Sequence, residues 1–171
     1  MVRSPSLWLD CVVCGFKAMK CSLIKTLLIG MVVLGATAMA DETRSFPLEF
    51  MNKLNQKKQI YVATERKSGA RSTAAPVWFG VIDNAIWFAT LPDNHKARRV
   101  KRGSPMYISV EGKDGPFIKA KAEIVQDGAM AERLGEIYAH KYWIAWLGMF
   151  RPSRGKIESG KNVLIRLTPL P

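Results

Sequence analysis

Between residues 90 and 102 the chain reads Thr-Leu-Pro-Asp-Asn-His-Lys-Ala-Arg-Arg-Val-Lys-Arg. Thr90 closes an apolar, β-prone run, and Lys96 opens a short basic one. This arrangement suits phosphate capture. A hydroxyl at a strand end offers a neutral donor, and a Lys entering a helix offers charge beside free N–H groups. A second set, Pro76-Val77-Trp78, has the apolar character of a slot for a flat ring. Two bland readings compete with these. Residues 96–102 also fit a solvated helical face, and Trp78 and Trp87 also fit core or interface packing. His95 reads as a surface residue and His140 as a cation at a helix C-terminus; either would also serve as an axial haem ligand. No paired carboxylates, Ser/His/Asp set or metal cluster points to hydrolysis.

The elements that must position these residues follow from local patterning. Ser45 to Lys58 reads as a helix, with Phe46, Phe50, Met51 and Leu54 on one stripe. Gln59–Thr64 reads as a strand, and Gly69 as part of a turn. Thr73–Val81 reads as one strand, at an edge or bulged because Pro76 cannot donate to a ladder. Asp83-Asn84 predicts a tight hairpin into a strand over Ala85–Thr90. Asp93 or Asn94 suits the cap of a short helix from His95. Met106–Val110 and Phe117–Val125 read as strands around a hairpin loop. Asp127 caps a helix reaching about His140. Tyr142 to Phe150 is rich in aromatics, residues 151–161 read as a polar loop, and Asn162–Leu167 as a last strand. Six strands, mostly hairpin-linked, predict a mainly β fold: a six-stranded antiparallel barrel with flanking helices.

Composition narrows the function classes. The chain has 171 residues, enough for one domain. Its 48% hydrophobic and 23% charged residues suit a packed core. Cys11, Cys14 and Cys21 all lie near the start, so a disulfide scaffold or a Cys-rich zinc site is excluded from the rest. Cys11-x-x-Cys14 lacks the setting of a redox or metal motif. From Met19 the text carries Lys20 and Lys25, an apolar core over Thr26–Gly35, then Ala38-Met39-Ala40 and Asp41-Glu42. That order is a secretory signal. The expected start is Met19, the expected cleavage follows Ala40, and residues 41–171 form the domain, placed in the periplasm or secreted. The apolar stretch is short for a membrane span. Removing residues 1–40 removes Arg3, Lys17, Lys20, Lys25 and Asp10, leaving 22 Lys and Arg against 13 acids. This balance predicts an anionic partner. A small phosphorylated molecule fits export better than nucleic acid does.

Over Gln59 to Pro169 the sequence resembles the flavin-binding split β-barrel superfamily, the pyridoxamine 5'-phosphate oxidase-like proteins. The resemblance rests on an ordered set. It comprises Tyr61-Val62-Ala63-Thr64, a charged Gly turn, Pro76-Val77-Trp78-Phe79, Trp87-Phe88-Ala89-Thr90, the basic run, Ser104-Pro105 before a strand, and Ala120-Lys121-Ala122-Glu123-Ile124. It implies a split barrel and a cofactor, flavin mononucleotide (FMN), with deazaflavin or haem as alternatives. By the same resemblance Thr90 and Lys96 contact the phosphate, with Arg98 or Arg99 assisting. Arg71, Thr73, Pro76, Val77 and Trp78 line the ring, although the segment from Arg71 to Trp78 is one residue longer than the family pattern. The implied function is a flavin-dependent oxidoreductase acting on a small molecule, or a non-catalytic flavin or haem binder. The implied assembly is a homodimer, with Tyr142–Phe150 as a suitable interface.

Overall fold

The computed structural model describes residues 45–170. The expected signal and the cysteines lie outside the described residues. The elements run α1 (Leu48–Gln56), β1 (Gln59–Thr64), β2 (Ala75–Trp78), β3 (Gly80–Ile82), β4 (Ala85–Thr90), α2 (His95–Lys101), β5 (Met106–Ser109), β6 (Ile118–Val125), α3 (Gly128–Lys141), α4 (Trp143–Trp146), α5 (Arg154–Glu158) and β7 (Val163–Pro169). The seven strands form one antiparallel sheet in the order β2-β1-β5-β6-β7-β4-β3. β2 and β3 occupy opposite edges of that order, yet only Phe79 separates them in the chain. The sheet must therefore roll round until its edges meet, which makes it a nearly closed barrel.

Here the expectation of a single strand over Thr73–Val81 is corrected. The backbone N–H of Phe79 donates to the hydroxyl of Tyr142, 3.0 Å away, instead of to a neighbouring strand. The chain turns there and changes edges, so the barrel has seven strands and not six. Pro76 does sit on an edge strand, opposite Tyr61, where its missing N–H costs nothing on the open side. A second correction concerns residues 151–161, which contain α5. Ile157 buries itself against the α3 side of the molecule, and that contact turns a polar stretch into a helix. The first helix is also shorter than expected.

Other boundaries follow local chemistry. Asp83 and Asn84 both have positive φ, 52° and 58°, the geometry that hairpin turns of this kind require. Asn94 caps α2 and Asp127 caps α3, each accepting two backbone N–H bonds.

Two apolar layers explain why the central strands are apolar throughout. Ile86 and Phe88 of β4, with Ile165 and Leu167 of β7, face the barrel interior beside Ile60, Val62 and Met106. α1 plugs this core with Phe50 and Leu54. Ala85, Trp87 and Leu164 face outward, under Ala131, Leu134 and Tyr138 of α3. Alternation along a strand is lost when both faces are covered. Trp87 is thus a core residue, and its indole N–H donates to the Ile82 carbonyl at 3.2 Å.

Candidate functional site

The end of β4, the α2 cap and the kink after β2 meet at a cleft of about 570 Å³. Val77 and Trp78 form one wall, Thr90 and Asn94 a polar corner, and Tyr138 and Phe150, both against Trp78, complete the lining. Three of the predicted residues, Val77, Trp78 and Thr90, are brought together here. Trp78 is held from behind. Its ring stacks on Tyr142 with centroids 4.3 Å apart and an interplanar angle of 6°, and its carbonyl accepts from the Tyr138 hydroxyl at 2.6 Å. Such a wall is rigid before any ligand arrives.

Asn94, read from sequence only as a cap, is also a site residue. Its Oδ1 accepts from the backbone N–H of Lys96 and of Ala97, at 2.7 and 3.3 Å, and its Nδ2 donates to Thr90 Oγ1 at 2.6 Å. It therefore ties the first turn of α2 to the end of β4. The signal was present in the text, because a capping Asn has a second functional group left over for a neighbour. Asn162 also lines the cleft; its position before the last strand offered no such hint.

Lys96 and Arg99 share one half-buried face of α2, three residues apart. Ala97 and Val100 are buried, while Arg98, Lys101 and Arg102 face outward. Burial pulls the Lys96 ammonium below its usual range, and the Arg99 charge adds to the effect. Neither cation makes an ion pair among the described residues. Two like charges held together without a carboxylate are a standing demand for an anion.

Arg99 reaches away from the cleft lining. Its Nη1 donates to Thr64 Oγ1 at 2.7 Å, and Thr64, fully buried, also lies 3.3 Å from Ser72 Oγ. The sequence reading missed Thr64 and Ser72, whose cross-strand pairing only the folded hairpin reveals. The remaining predicted residues, Lys96 among them, stand outside the cleft lining. Arg71 is exposed, with its guanidinium 3.9 Å from the centroid of the Phe117 ring. Thr73 and Pro76 are exposed on the approach to β2 and within it. His95 is exposed, and His140 lines hollows beside α3; neither lines the cleft. Among the described residues no group of three or more His, Cys, Asp or Glu is placed to hold a metal ion.

The aromatic stretch after α3 divides, which corrects the expectation of one interface patch. Tyr142 is buried and bonded inside the molecule. Trp143, Trp146 and Leu147 face outward. Phe150 turns back to the cleft, edge-on to Trp78 at 6.1 Å.

No protein-family model matches the sequence, and no curated protein sequence matches it. Solved structures do. A conserved hypothetical protein of Mycobacterium tuberculosis aligns with a TM-score of 0.55 at 19% identity, over 77% of this chain and 84% of that one. A candidate pyridoxamine 5'-phosphate oxidase from Listeria innocua aligns at 0.50 and 15% identity, over 72% and 92%. A candidate 5-nitroimidazole antibiotic resistance protein from Bacteroides thetaiotaomicron aligns at 0.50 and 11% identity, over 73% and 80%. The protein therefore has the split-barrel fold of the pyridoxamine 5'-phosphate oxidase-like proteins.

Proposed function

We propose that the protein is an exported flavoprotein that binds FMN in the cleft beside Trp78, with the phosphate drawn to Lys96 and the first turn of α2. One observation carries the reading: two half-buried cations without a carboxylate partner, Lys96 and Arg99, stand on α2, and the residue that caps this helix, Asn94, lines an apolar slot walled by Val77 and Trp78. The cleft volume is ordinary for a small-molecule site, where roughly 300–1,000 Å³ is usual. The residues present fit the group. Val77 and Trp78 would pack against a flat ring, Thr90 would offer a hydroxyl, and Lys96, outside the lining on the first turn of α2, would supply charge. A bound flavin supplies hydride transfer, and the protein's part is to bind and orient it. An oxidoreductase acting on a small molecule, with no role for nucleic acid, follows from this assignment.

A second reading, flavin binding without turnover, is favoured by the cleft lining itself. It contains no carboxylate, histidine or lysine, and the Tyr138 hydroxyl there is already spent on the Trp78 carbonyl. Deazaflavin would use the same slot and the same cations. Haem is less well served, since neither histidine lines the cleft. A homodimer is the assembly that suits the site, because a second copy seated over exposed Leu91 and Phe150 would bury both and close the cleft mouth. Among the described residues no helix is long and apolar enough to cross a membrane. Export rests on the segment from Met19 to Glu42, and mass spectrometry of the exported protein should find Asp41 at the N-terminus.

The test is a visible spectrum of the purified protein and a titration with FMN, riboflavin, deazaflavin and haem. The two absorbance bands of an oxidised flavin, or quenching of added FMN fluorescence, support the proposal. A Soret band, or failure to bind any flavin, ends it.

A further inference from the structure

We infer that the outer face of α4 is a docking surface for an anionic lipid bilayer, with Trp143, Trp146 and Leu147 entering the boundary of the acyl chains and Lys58 meeting the phosphate headgroups. This inference does not depend on what fills the cleft.

The observations are of two kinds. Trp143 and Trp146 are each 73% exposed and Leu147 54%. At a spacing of three residues on one helical turn, the two indoles project on the same side. Burying so little of two tryptophans is unusual for a surface facing only water. The same three side chains share an open hollow of about 620 Å³ with Lys58, His140 and Lys141, and no carboxylate lines it. Asp83 and Glu136 line a neighbouring hollow, which shares His140 and Lys141 with this one. Indole rings with an exposed lysine, Lys58, at their edge match the layered chemistry of a membrane interface, apolar below and anionic at the level of the headgroups.

The patch is also pre-formed. Tyr142, immediately before α4, is buried, and its hydroxyl donates to the Lys58 carbonyl at 2.6 Å, which fixes the backbone that carries Lys58. Ala145, between the two tryptophans, is fully buried, and its N–H donates to the Tyr142 carbonyl at 2.9 Å. After α4 the chain reverses through Gly148 (φ 84°) and Phe150 (φ 57°). That reversal sends Phe150 to the cleft, whose lining includes neither Trp143 nor Trp146.

The experiment is co-sedimentation of the full chain with phosphatidylcholine vesicles, with and without an equal share of phosphatidylglycerol, while tryptophan emission is recorded. Binding to the anionic vesicles with a blue-shifted emission, weakened by salt, is the expected result. The double substitution Trp143→Ser/Trp146→Ser should weaken that binding about tenfold or more, since lost apolar insertion adds to the free energy. Lys58→Glu should weaken it with the tryptophans intact. All three side chains are exposed, and circular dichroism confirms that each variant folds. Absence of binding to phosphatidylglycerol vesicles overturns the inference. So does equal binding by wild type and double variant, the result expected if residues 26–40 carry the attachment. Conversion of a dimer to a monomer by the double substitution, read by light scattering without vesicles, overturns it as well, because the face then belongs to a second copy.

Discussion

The indole of Trp78 and the phenol ring of Tyr142 lie parallel, 4.3 Å apart, although 63 residues separate the phenol from its hydrogen-bond donor, the N–H of Phe79. One side chain thereby performs two tasks. Its ring backs the cleft wall, and its hydroxyl closes the barrel seam, accepting from Phe79 and donating to the Lys58 carbonyl at 2.6 Å. The seam and the site are therefore coupled through a single residue.

Tyr142→Phe should keep the stack and lose both bonds. The Phe79 N–H, in a fully buried residue, would then lack a partner, a loss of roughly 1–3 kcal/mol. Tyr142→Ala removes the ring too and should cost about 3–5 kcal/mol. Urea denaturation measures both, and equal stability of wild type and Tyr142→Phe would refute the seam role.

Lys96→Ala should weaken FMN binding about tenfold to a hundredfold, the range of a lost charge-assisted hydrogen bond. Riboflavin, which lacks the phosphate, should be nearly unaffected. Fluorescence titration of the two ligands distinguishes the cases, and equal losses would show that Lys96 shapes the cleft without meeting a phosphate.

The stability of the fold should vary with pH in a way to which two adjacent residues contribute. Burial holds the Lys141 ammonium down at about 8, although the Phe79 ring, 3.4 Å from Nζ to centroid, favours the charged form. The unfolded chain keeps its proton to the usual lysine value, so between about pH 8 and 10 the unfolded state holds more protons and stability rises with pH. Burial pushes the Tyr142 hydroxyl up to about 12. Above pH 10 the unfolded tyrosine ionises first and stability falls. Lys141→Met should reduce the rise, with Lys96, lowered for the same reason, supplying what is left, and Tyr142→Phe should soften the fall. Denaturation midpoints across pH 7 to 11 check both signs.

Gly135→Ala should destabilise the protein by roughly 1–3 kcal/mol. A Cβ there would stand 2.5 Å from the Pro152 carbonyl oxygen, a backbone atom with little room to retreat. Gly155→Ala, whose Cβ meets nothing within 4 Å, is the control. Thermal unfolding of the pair measures the difference, and matched melting temperatures would refute the close approach of α3 to the 152 segment.

Much of this was legible because its causes are local. The bounds of β1 and β4 follow from β-prone runs between turn residues, and α2 and α3 begin where Asn94 and Asp127 can satisfy free N–H groups. The part of the site made by Val77, Trp78 and Thr90 followed from residue types. Arg99 was expected beside the phosphate, but its bond to Thr64 was not legible, since that partner is 35 residues away and looks like any strand threonine. Asn94 was half legible, as a cap without its bond to Thr90.

Sequence alone determined most of the strands, the helices α1 to α3 and where the cationic run lies, because side-chain periodicity, capping and turn chemistry act within a few residues. Tertiary structure decided that the run from 75 to 82 breaks at Phe79, that Tyr142 turns inward while Trp143 and Trp146 face outward, and that Arg99 serves Thr64. Each of those outcomes depends on a partner contributed by a distant part of the chain. A buried N–H or hydroxyl accepts any suitable partner, and which one it finds is settled only when the barrel closes.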